Sequence, residues 1–465
     1  MTFERVRAFL DRTYGARKWL LSLDVLAAAP PIVSALQEHG ASSCFCIGGS
    51  RGTGPLPDPA YAMGAVDLGI VAGDIMSGIR LSLAALADLS PEIVARVDAF
   101  DPTGEARVLG TIFDDGRDVA QRKKFGARPG AWQLLEDKTV IDDLWDRAGV
   151  ARAPARVVPA SEIELVAAGA TVDRGEGTVW SGDSSEGFNG GATYVRWVRS
   201  SVEAQEAAAF FARHCQRVRV MSFLEGIPCS IHGFVFADYV VALRPCEMVV
   251  LRKPGDSRFH YARAASFWDP SPGDRDEMRT AARRVGEHLR TSLGYRGAFT
   301  IDGVMSRDGF LPTELNPRLG AALMVMTRGV PLSMLLLNAA IVEGVEVDFD
   351  PRELEADLLA HMDAHRAGGG TAIVAQAPPE TRSASLSWTR DRFEVSEGDD
   401  ADAKAHFGSS PAGGYVMVDL VPERTAVGPS VAPRIAAALA CLDAHWQLGL
   451  GALVPAKDVR RQATG

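Results

Sequence analysis

The chain has 465 residues, a formal net charge of −10 and 47% hydrophobic residues. This length predicts about two to four domains, with enough apolar residues for several cores. The acidic balance argues against a nucleic-acid partner, because neutralising phosphates requires a basic face. No apolar run approaches the roughly 20 residues that span a bilayer, and the N-terminus lacks a signal pattern. We therefore expect a cytoplasmic protein with no membrane or nucleic-acid partner.

Cysteine usage agrees with this expectation. The six cysteines form no C-x-x-C pair and lie mostly in apolar, strand-like runs: Cys44, Cys46, Cys215, Cys229, Cys246 and Cys441. This pattern is typical of small buried hydrophobes in a reducing compartment, and not of disulfides or zinc ligands.

The first part of the chain, residues 1–128, alternates strand-like and helix-like stretches. A strand from Lys18 to Leu26, a helix near Pro31 to Glu38 and a strand from Ser42 to Ile47 predict a parallel α/β layer. The run G-G-S-R-G-T-G at 48–54 follows a strand, but it lacks the G-x-G-x-x-G spacing and is followed by prolines where a helix should start. We therefore favour no dinucleotide site there.

The next stretch, W-Q-L-L-E-D-K-T-V-I-D-D-L-W-D-R-A-G-V, predicts one amphipathic helix ending at Gly149 as its C-cap. Residues at helical spacing are Leu134, Lys138, Ile141, Trp145 and Ala148. A lysine on a helix is usually a solvated charge. Lys138 stands out because the 49 basic residues comprise only seven lysines and 42 arginines.

A glycine-rich loop, Ser181 to Gly191, lies between an apolar approach at Thr178 to Trp180 and a strand from Thr193 to Val198. Backbone N–H groups in such a loop can approach phosphates closely, since no Cβ intervenes. A mobile surface loop is the alternative.

Two further stretches predict core elements. The segment Arg219 to Gly226 reads as an apolar strand, followed by two strands that turn at Ala237 and Asp238. An amphipathic helix is predicted from Gly273 to Ser292. Its expected buried stripe is Met278, Ala281, Val285, Leu289 and Leu293.

The most informative segment is a predicted hairpin. A strand from Ala298 to Met305 breaks at Ser306 to Gly309, where Asp-Gly marks a turn, and returns from Phe310 to Leu315. Asp302 and Glu314 are nearly equidistant from that turn, so they should lie opposite each other.

Glu314 and Asn316 are two residues apart, which places them on one face of a strand. Two carboxylates and an amide oxygen would then converge, and magnesium prefers such ligands. Arg318, beyond the strand-ending Pro317, could bind a carboxylate or phosphate with its planar fork. A solvated acidic hairpin is the alternative.

The C-terminal part, 346–465, is less informative. His361 and His365 are spaced i, i+4 on a predicted helix around Asp363, but no third ligand is evident, so we favour a solvated face over a metal site. The remaining expectations are a helix end at Gly368 to Gly370, strands at Ser383 to Trp388 and Gly414 to Leu420, and a helix from Ser430 to Trp446. This part would complete the substrate pocket or a homodimer interface.

The string from Asp302 to Arg318 resembles the metal-binding end of the ATP-grasp superfamily, in which E-x-N-x-R follows an acidic residue after twelve positions, as 314 minus 302 gives here. The resemblance implies ATP and Mg²⁺ as cofactors. Asp302, Glu314 and Asn316 would hold two ions, replaceable by Mn²⁺, against the ATP phosphates. Arg318 would bind the substrate carboxylate, the acyl phosphate or the transition state.

The resemblance extends upstream and assigns the nucleotide-binding residues. Lys138 would reach the phosphates, and Asn189, Gly190 and Gly191 would close over them. Ser222 C=O and Leu224 N–H would contact the purine edge beside Met221. The family's carboxylates near the base and ribose correspond here to Met221 and Pro228, and Glu225 could replace one of them.

The chain departs from the family at one further point. Many members carry a second lysine at the end of the strand before the glycine-rich loop, where this sequence has Trp180. Either another cation substitutes, with Arg196 as the candidate, or magnesium and backbone amides handle the charge.

The resemblance implies an α/β and α+β multidomain fold. Residues 1–128 would form a parallel pre-ATP-grasp domain, 129–345 an ATP-grasp module of two α+β subdomains with a lid at about 155–220, and 346–465 an α+β extension. The implied enzyme joins a small-molecule carboxylate to an amine through an acyl phosphate.

Two strings, F-L-E-G-I-P-C-S-I-H-G and F-G-A-R-P-G-A-W-Q-L-L-E-D-K, look similar to amino acid or peptide ligases of bacterial secondary metabolism. A biotin-carboxylase-like or purine-type ligase and a non-catalytic ATP-binding regulatory protein remain alternatives. The chain shows no biotinylation A-M-K-M string, which counts mildly against a biotin-dependent protein.

Overall fold

Four β-sheets organise the protein, which we describe from a computed structural model at residues 2–111, 113, 116–187, 190–397, 400–410 and 413–460. The first sheet contains the N-terminal elements. These are α1 (Thr2–Tyr14), β1 (Lys18–Val25), α2 (Ala29–Glu38), β2 (Ser43–Ser50), β3 (Ala62–Asp67), α3 (Ile75–Ala87), α4 (Pro91–Phe100), β4 (Arg107–Leu109) and β5 (Lys124–Phe125).

This sheet has the strand order β3-β2-β1-β4-β5, and all its pairings are parallel. The runs of buried residues in β1 and β2 explain the pattern, because both faces of a parallel sheet are covered. The predicted parallel α/β layer is confirmed.

No helix begins directly after the glycine-rich run at 48–54, and the next regular element is β3. Instead, Gly49 lies so close to α3 that an added Cβ would be 1.8 Å from the hydroxyl of Ser82. Close packing is therefore sufficient to explain a glycine at position 49.

The predicted helix over 132–148 is wrong as a continuous element. The chain forms α5 (Gly130–Gln133), one 3₁₀ turn, and then α6 (Asp142–Arg147). Asp137 interrupts it, because its carboxylate accepts the Thr139 N–H at 2.8 Å and the Ser184 N–H at 3.1 Å. Gly149 adopts φ +65°, as expected of a C-cap.

The second sheet belongs to a compact stretch that we call the 155–222 unit. It consists of β6 (Ala155–Pro159), α7 (Glu162–Val172), β7 (Thr178–Gly182), β8 (Val195–Val198), α8 (Ser201–His214) and β9 (Arg217–Ser222). The antiparallel order is β6-β9-β7-β8. Its core packs one face of the sheet against α7 and α8, with Leu165, Trp180 and Phe211 buried.

The third and largest sheet forms what we call the body. Its elements are β10 (Gly226–Val235), β11 (Val240–Ala242), β12 (Cys246–Arg252), β13 (Phe259–Ala265), α9 (Pro272–Leu293), β14 (Gly297–Ser306), β15 (Gly309–Asn316), α10 (Ala321–Met326), α11 (Met334–Glu343) and α12 (Pro351–Ala364). The main path is the antiparallel order β13-β12-β10-β14-β15.

Helix α9 covers one face of the body sheet and buries four residues of its predicted stripe: Met278, Ala281, Val285 and Leu289. The fifth, Leu293, is 41% exposed, so that part of the prediction is wrong. The helix ends there at Gly294, whose left-handed conformation turns the chain away.

The fourth sheet is C-terminal. Its stretch contains β16 (Gly369–Val374), β17 (Arg382–Thr389), β18 (Arg392–Ser396), β19 (Ala403–Ser410), β20 (Gly413–Leu420), α13 (Ala432–Trp446) and β21 (Val454–Pro455). The order is β16-β20-β19-β17-β18, and β21 returns to pair with β12 of the body.

The glycines at 368–370 do not end a helix as predicted. Helix α12 already ends at Ala364, and Gly369 begins β16, where an added Cβ would be 1.9 Å from the Val418 carbonyl oxygen. The rings of His361 and His365 stack 4.1 Å apart. Among the described residues no group of three or more His, Cys, Asp or Glu could hold a metal ion.

All six cysteines are free thiols, and four of them are buried. Within the described ranges, none of the helices is long and apolar enough to cross a bilayer.

Candidate functional site

A cavity of about 420 Å³ lies between the 155–222 unit, the body sheet and the first turn of α3. Many residues singled out from the sequence line it: Lys138, Gly190, Gly191, Met221, Leu224, Glu225, Asp302, Glu314, Asn316 and Arg318. Asn189 lies outside the described residues. The structure thus brings the predicted metal, phosphate and base residues to one place.

The floor of the cavity consists of polar residues in register across β10, β14 and β15. Ser230 pairs with Asp302, and Asp302 pairs with Glu314. In the next row, Thr300 pairs with Asn316. Directly opposed residues share a face, so the predicted convergence of the two carboxylates and the amide is present.

Asp302 is held by two neighbours. Its Oδ2 accepts a hydrogen bond from Asn316 Nδ2 at 2.9 Å, and its Oδ1 accepts one from the Ser230 hydroxyl. Burial, followed by the negative charge of Glu314, raises the pKa of Asp302 to about 7. A cation placed between the two carboxylates would relieve that repulsion.

His232 lies in the second row beside Thr300, with its Nδ1 2.8 Å from the Thr300 hydroxyl. Burial lowers the pKa of His232 to about 3, so the ring is neutral near pH 7. The floor therefore carries acidic and neutral groups at this point, without an imidazolium charge.

Lys138 lies above the floor, and its Nζ is 3.1 Å from Glu314 Oε1. The turn that carries it is fixed by Asp137, which also accepts the backbone N–H of Ser184 in the glycine-rich loop. The lysine and the loop are therefore connected by one carboxylate. Lys138 lies in a turn and not on the predicted helix, and its expected contact with phosphates stays a prediction.

Arg318 is positioned by acceptors on both sides. Its Nη2 donates to Asn316 Oδ1 at 3.0 Å, and its Nε donates to Glu136 Oε2 at 3.2 Å. Glu136 Oε1 in turn accepts from Arg128 at 2.6 Å. The guanidinium also lies 5.1 Å from the ring centre of Phe113. Glu136 was not predicted as a site residue, although it belongs to the same E-D-K string as Lys138.

The opposite end of the cavity is lined by Met221, Phe223, Leu224 and Glu225. Alternation along β9 turns the Ser222 side chain away, and its hydroxyl donates to the carbonyl of Val172. A contact through the Ser222 carbonyl stays a prediction.

Glu225 is bound on both oxygens. Arg252 donates to them at 3.0 and 3.2 Å, and the backbone N–H of Lys457 donates to Oε1 at 3.0 Å. This carboxylate joins the segment after β9 to β12 and to the chain after β21. A ribose contact from Glu225 stays a prediction.

An aromatic stack that was not predicted from the sequence includes two residues of the cavity lining, Phe223 and Phe259. Trp197 of β8 stacks on Phe223 with ring centres 4.1 Å apart, and Phe259 of β13 lies 6.2 Å from Trp197 in a near-parallel orientation. The Arg252 guanidinium lies 5.5 Å from the Trp197 ring. Trp197 and Phe259 lie on separate strands and Phe223 follows the end of β9, so no local sequence pattern connects the three.

Trp180 does not face the cavity. It is 1% exposed in the core of the 155–222 unit, and its indole N–H donates to the Thr178 hydroxyl at 2.9 Å. Its neighbours Val179 and Ser181 line the cavity instead. At the end of this strand, the residue that faces the cavity is therefore Ser181.

The prediction that Arg196 is the substitute cation is wrong, because Arg196 also points away from the cavity. Arg196 pairs with Trp180 across the sheet and shares its face. Its guanidinium lies 4.0 Å from the ring centre of Phe210 and donates to the carbonyls of Thr193 and Val195.

No protein-family profile matches the chain, and no curated protein matches it in sequence. Solved structures do match its fold. Carboxyaminoimidazole ribonucleotide synthase from Aspergillus clavatus, solved with ATP, has a TM-score of 0.52 and 12% identity over 94% of this chain and 100% of that chain. The biotin carboxylase domain of Hydrogenobacter thermophilus 2-oxoglutarate carboxylase, solved with MgADP, ADP and bicarbonate, has a TM-score of 0.53 and 12% identity over 95% and 91%.

An N5-carboxyaminoimidazole ribonucleotide synthetase solved with ADP has a TM-score of 0.50 and 10% identity over 93% of this chain and 98% of that chain. The chain therefore has the same fold as these solved structures, the ATP-grasp fold that the resemblance of the segment from Asp302 to Arg318 implied. The TM-scores and the coverage, not the low identities, show that the architecture is shared over nearly the whole chain.

Proposed function

We propose that the protein is an ATP-dependent ligase that joins a small-molecule carboxylate to an amine. The observation that carries this proposal is the arrangement of Asp302, Glu314, Asn316, Lys138 and Arg318 in one cavity. Two carboxylates on the floor, a lysine above them and an arginine at one end match the charge distribution of a nucleoside triphosphate beside an acidic substrate.

The chemistry requires two displacements. A carboxylate oxygen of the substrate attacks the γ-phosphorus of ATP, and the bond from that phosphorus to the β-phosphate oxygen breaks, which releases ADP. The amine nitrogen then attacks the acyl carbon, the carbon–oxygen bond to phosphate breaks, and the amine loses a proton. Such reactions depend on positioning and electrostatics, so no nucleophilic protein side chain is required.

The donor set fits magnesium. Asp302 and Glu314 are paired across the strands, and Asn316 contacts Asp302, which gives two carboxylates and one amide. Hard oxygen ligands of this kind suit Mg²⁺ or Mn²⁺, with water and phosphate completing the coordination. When bound, the metal would neutralise phosphate charge. Lys138 and Arg318 would hold the phosphates and the acid in place.

The end of the cavity near Arg318 favours an organic acid. The ring centre of Phe113 lies 5.1 Å from that guanidinium, and Ala321 and Ala322, three and four residues after Arg318, also line the cavity. An arginine with apolar groups nearby suits a carboxylate that carries a hydrophobic substituent. We propose amino acids or peptides as substrates, within bacterial secondary metabolism, on the sequence resemblance described above.

The test is ADP release over a panel of carboxylic acids and amines, with products identified by mass spectrometry. A productive pair should stimulate ADP formation, and a carboxylate labelled with ¹⁸O should transfer one labelled oxygen to phosphate. Glu314→Gln serves as the inactive control. ATP binding without stimulation by any pair would contradict the ligase and favour the regulatory alternative.

A second candidate is ATP-dependent carboxylation of a nitrogen by bicarbonate. It is favoured by the likeness to a carboxyaminoimidazole ribonucleotide synthase and a biotin carboxylase domain. Bicarbonate is small and fully polar, which matches the apolar substrate end less well. The same assay with labelled bicarbonate as the only acid separates the two, since only the carboxylase would release ADP.

A further inference from the structure

Arg219 is a buried guanidinium that faces the cavity. Its side chain is 2% exposed, and it lies on β9 directly opposite Ser181 of β7. Both residues line the cavity. The sequence of β7, T-V-W-S-G, contains no cation, so the positive charge at this point of the sheet comes from the neighbouring strand.

The hydrogen bonds of Arg219 leave one edge weakly satisfied. Its Nε and Nη2 atoms donate to Asp142 at 2.7 to 3.0 Å. Its Nη1 atom donates to the thioether sulfur of Met221 at 3.2 Å, and sulfur is a weak acceptor. A charged donor that is nine-tenths buried normally has stronger partners.

Asp142 fixes this orientation. It lies in the first turn of α6 and receives Arg219 through two guanidinium nitrogens, while Arg152 lies 3.7 Å from its Oδ1. The fork of Arg219 is thus occupied on the Asp142 side, and Nη1 is directed along β9 toward Met221. Ser181, opposite Arg219, is the first residue of the glycine-rich loop.

We propose that Arg219 binds a phosphate oxygen of the nucleotide through Nη1 and so supplies the cation that β7 lacks. Asp142 is its positioning residue. This inference rests on the proposed nucleotide site. Charge-assisted hydrogen bonds to phosphate are among the stronger polar contacts, and a planar fork already held by one carboxylate loses little freedom on binding another anion.

The test compares adenosine with ADP by isothermal titration calorimetry at fixed Mg²⁺. Arg219→Met keeps most of the side-chain volume and removes the charge. It should weaken ADP binding by about 10- to 100-fold and adenosine binding by less than about threefold. Equal losses for both ligands, or unchanged ADP affinity, would overturn the proposal.

A second variant distinguishes loss of the charge from a disturbed local structure as the cause of weaker ADP binding by Arg219→Met. Ser181→Lys in the Arg219→Met background places a cation on the opposing strand at the same level. It should recover most of the ADP affinity, whereas a folded double variant without recovery would contradict the charge assignment. Arg196→Met, in the same sheet but on the other face, is the matched control and should leave ADP affinity unchanged.

If the unchanged protein bound neither adenosine nor ADP, the proposed function would fail, and this outcome is distinct from the ones above. Thermal unfolding of each variant, followed by circular dichroism, identifies samples that are folded at the assay temperature.

Discussion

Asp302 and Glu314 are paired directly across β14 and β15, and each carboxylate has a different polar neighbour: the Ser230 hydroxyl for Asp302 and the Lys138 ammonium for Glu314. Two like charges placed opposite each other in a sheet repel. The pair is therefore a costly arrangement for a purely structural hairpin, which supports the proposed cation between the two carboxylates.

Glu314→Gln should retain the fold and lose metal-dependent activity. The amide keeps the shape and one oxygen ligand but removes the negative charge, so ADP formation should fall by at least about 100-fold at limiting Mg²⁺, with part of the loss recovered at high Mg²⁺. Steady-state rates across a magnesium titration measure this. Glu287→Gln, on the exposed face of α9, is the control. Full activity of Glu314→Gln at limiting metal would remove Glu314 from the ligand set.

Glu136→Gln should impair use of the acid substrate more than use of ATP. Glu136 bridges Arg128 and Arg318, and its neutralisation leaves two guanidinium groups without their shared counter-charge. We expect kcat/KM for the carboxylate to fall by about 10- to 100-fold and KM for ATP to change by less than about threefold. A loss confined to the KM for ATP would show that Glu136 acts at the other end of the cavity.

Trp180→Ala should destabilise the 155–222 unit without weakening nucleotide binding by the folded protein. The indole is enclosed by that unit's core, and removal of a large aromatic side chain from a core costs about 3–5 kcal/mol. Chemical denaturation followed by circular dichroism, with ADP titrations at low temperature, measures both effects. Trp180→Lys should be more damaging still, because it buries an unpaired ammonium. A folded Trp180→Lys variant with tighter ADP binding would show that position 180 does reach the nucleotide.

Glu247→Gln should remove a pH dependence of stability. Glu247 is fully buried and accepts hydrogen bonds from the Ser430 hydroxyl and the Val431 N–H at the start of α13. Burial outweighs these bonds and raises the pKa of Glu247 to about 7. A raised carboxyl pKa stabilises the fold fully below the unfolded value, about 4.3, and this contribution is lost as the pH rises toward 7.

The free energy of unfolding of the variant relative to the unchanged protein should therefore increase from pH 5 to pH 8 and level off above that. Urea denaturation at a series of pH values measures it. A difference between the two proteins that is independent of pH would show that Glu247 keeps one protonation state throughout.

The hairpin at 298–316 could be predicted because its information is local. Apolar strands, a D-G turn and period-two spacing predict the hairpin and the shared face of Glu314 and Asn316. The pairing of Asp302 with Glu314 also needs a one-residue register shift between Asp302 and Gly303, without which Asp302 would lie opposite Thr313. The same holds for α9, whose stripe is a property of one helix. The ends were less predictable, as Leu293 shows, because exposure there depends on where the chain turns away.

The site details that failed depend on contacts distant in sequence. Lys138 lies in a turn because Asp137 accepts an N–H from Ser184, 47 positions later. The resemblance places Trp180 at the family's lysine position, but its side chain points into the core. Neighbouring residues on a strand point to opposite faces, so an offset of one residue exchanges the cavity face for the core face. The position of Arg219 in the cavity could not be predicted, because it depends on the pairing of β7 with β9, which places Arg219 opposite Ser181.

The stack of Trp197 with Phe223 and Phe259 joins the 155–222 unit to the body. It gives the molecule a natural optical label. Any rotation of that unit would separate an indole from a parallel ring and from the Arg252 guanidinium, which are contacts that alter tryptophan emission. Opening and closing around a ligand could then be timed by stopped-flow fluorescence, with Trp197→Phe identifying the signal among the eight tryptophans of the chain.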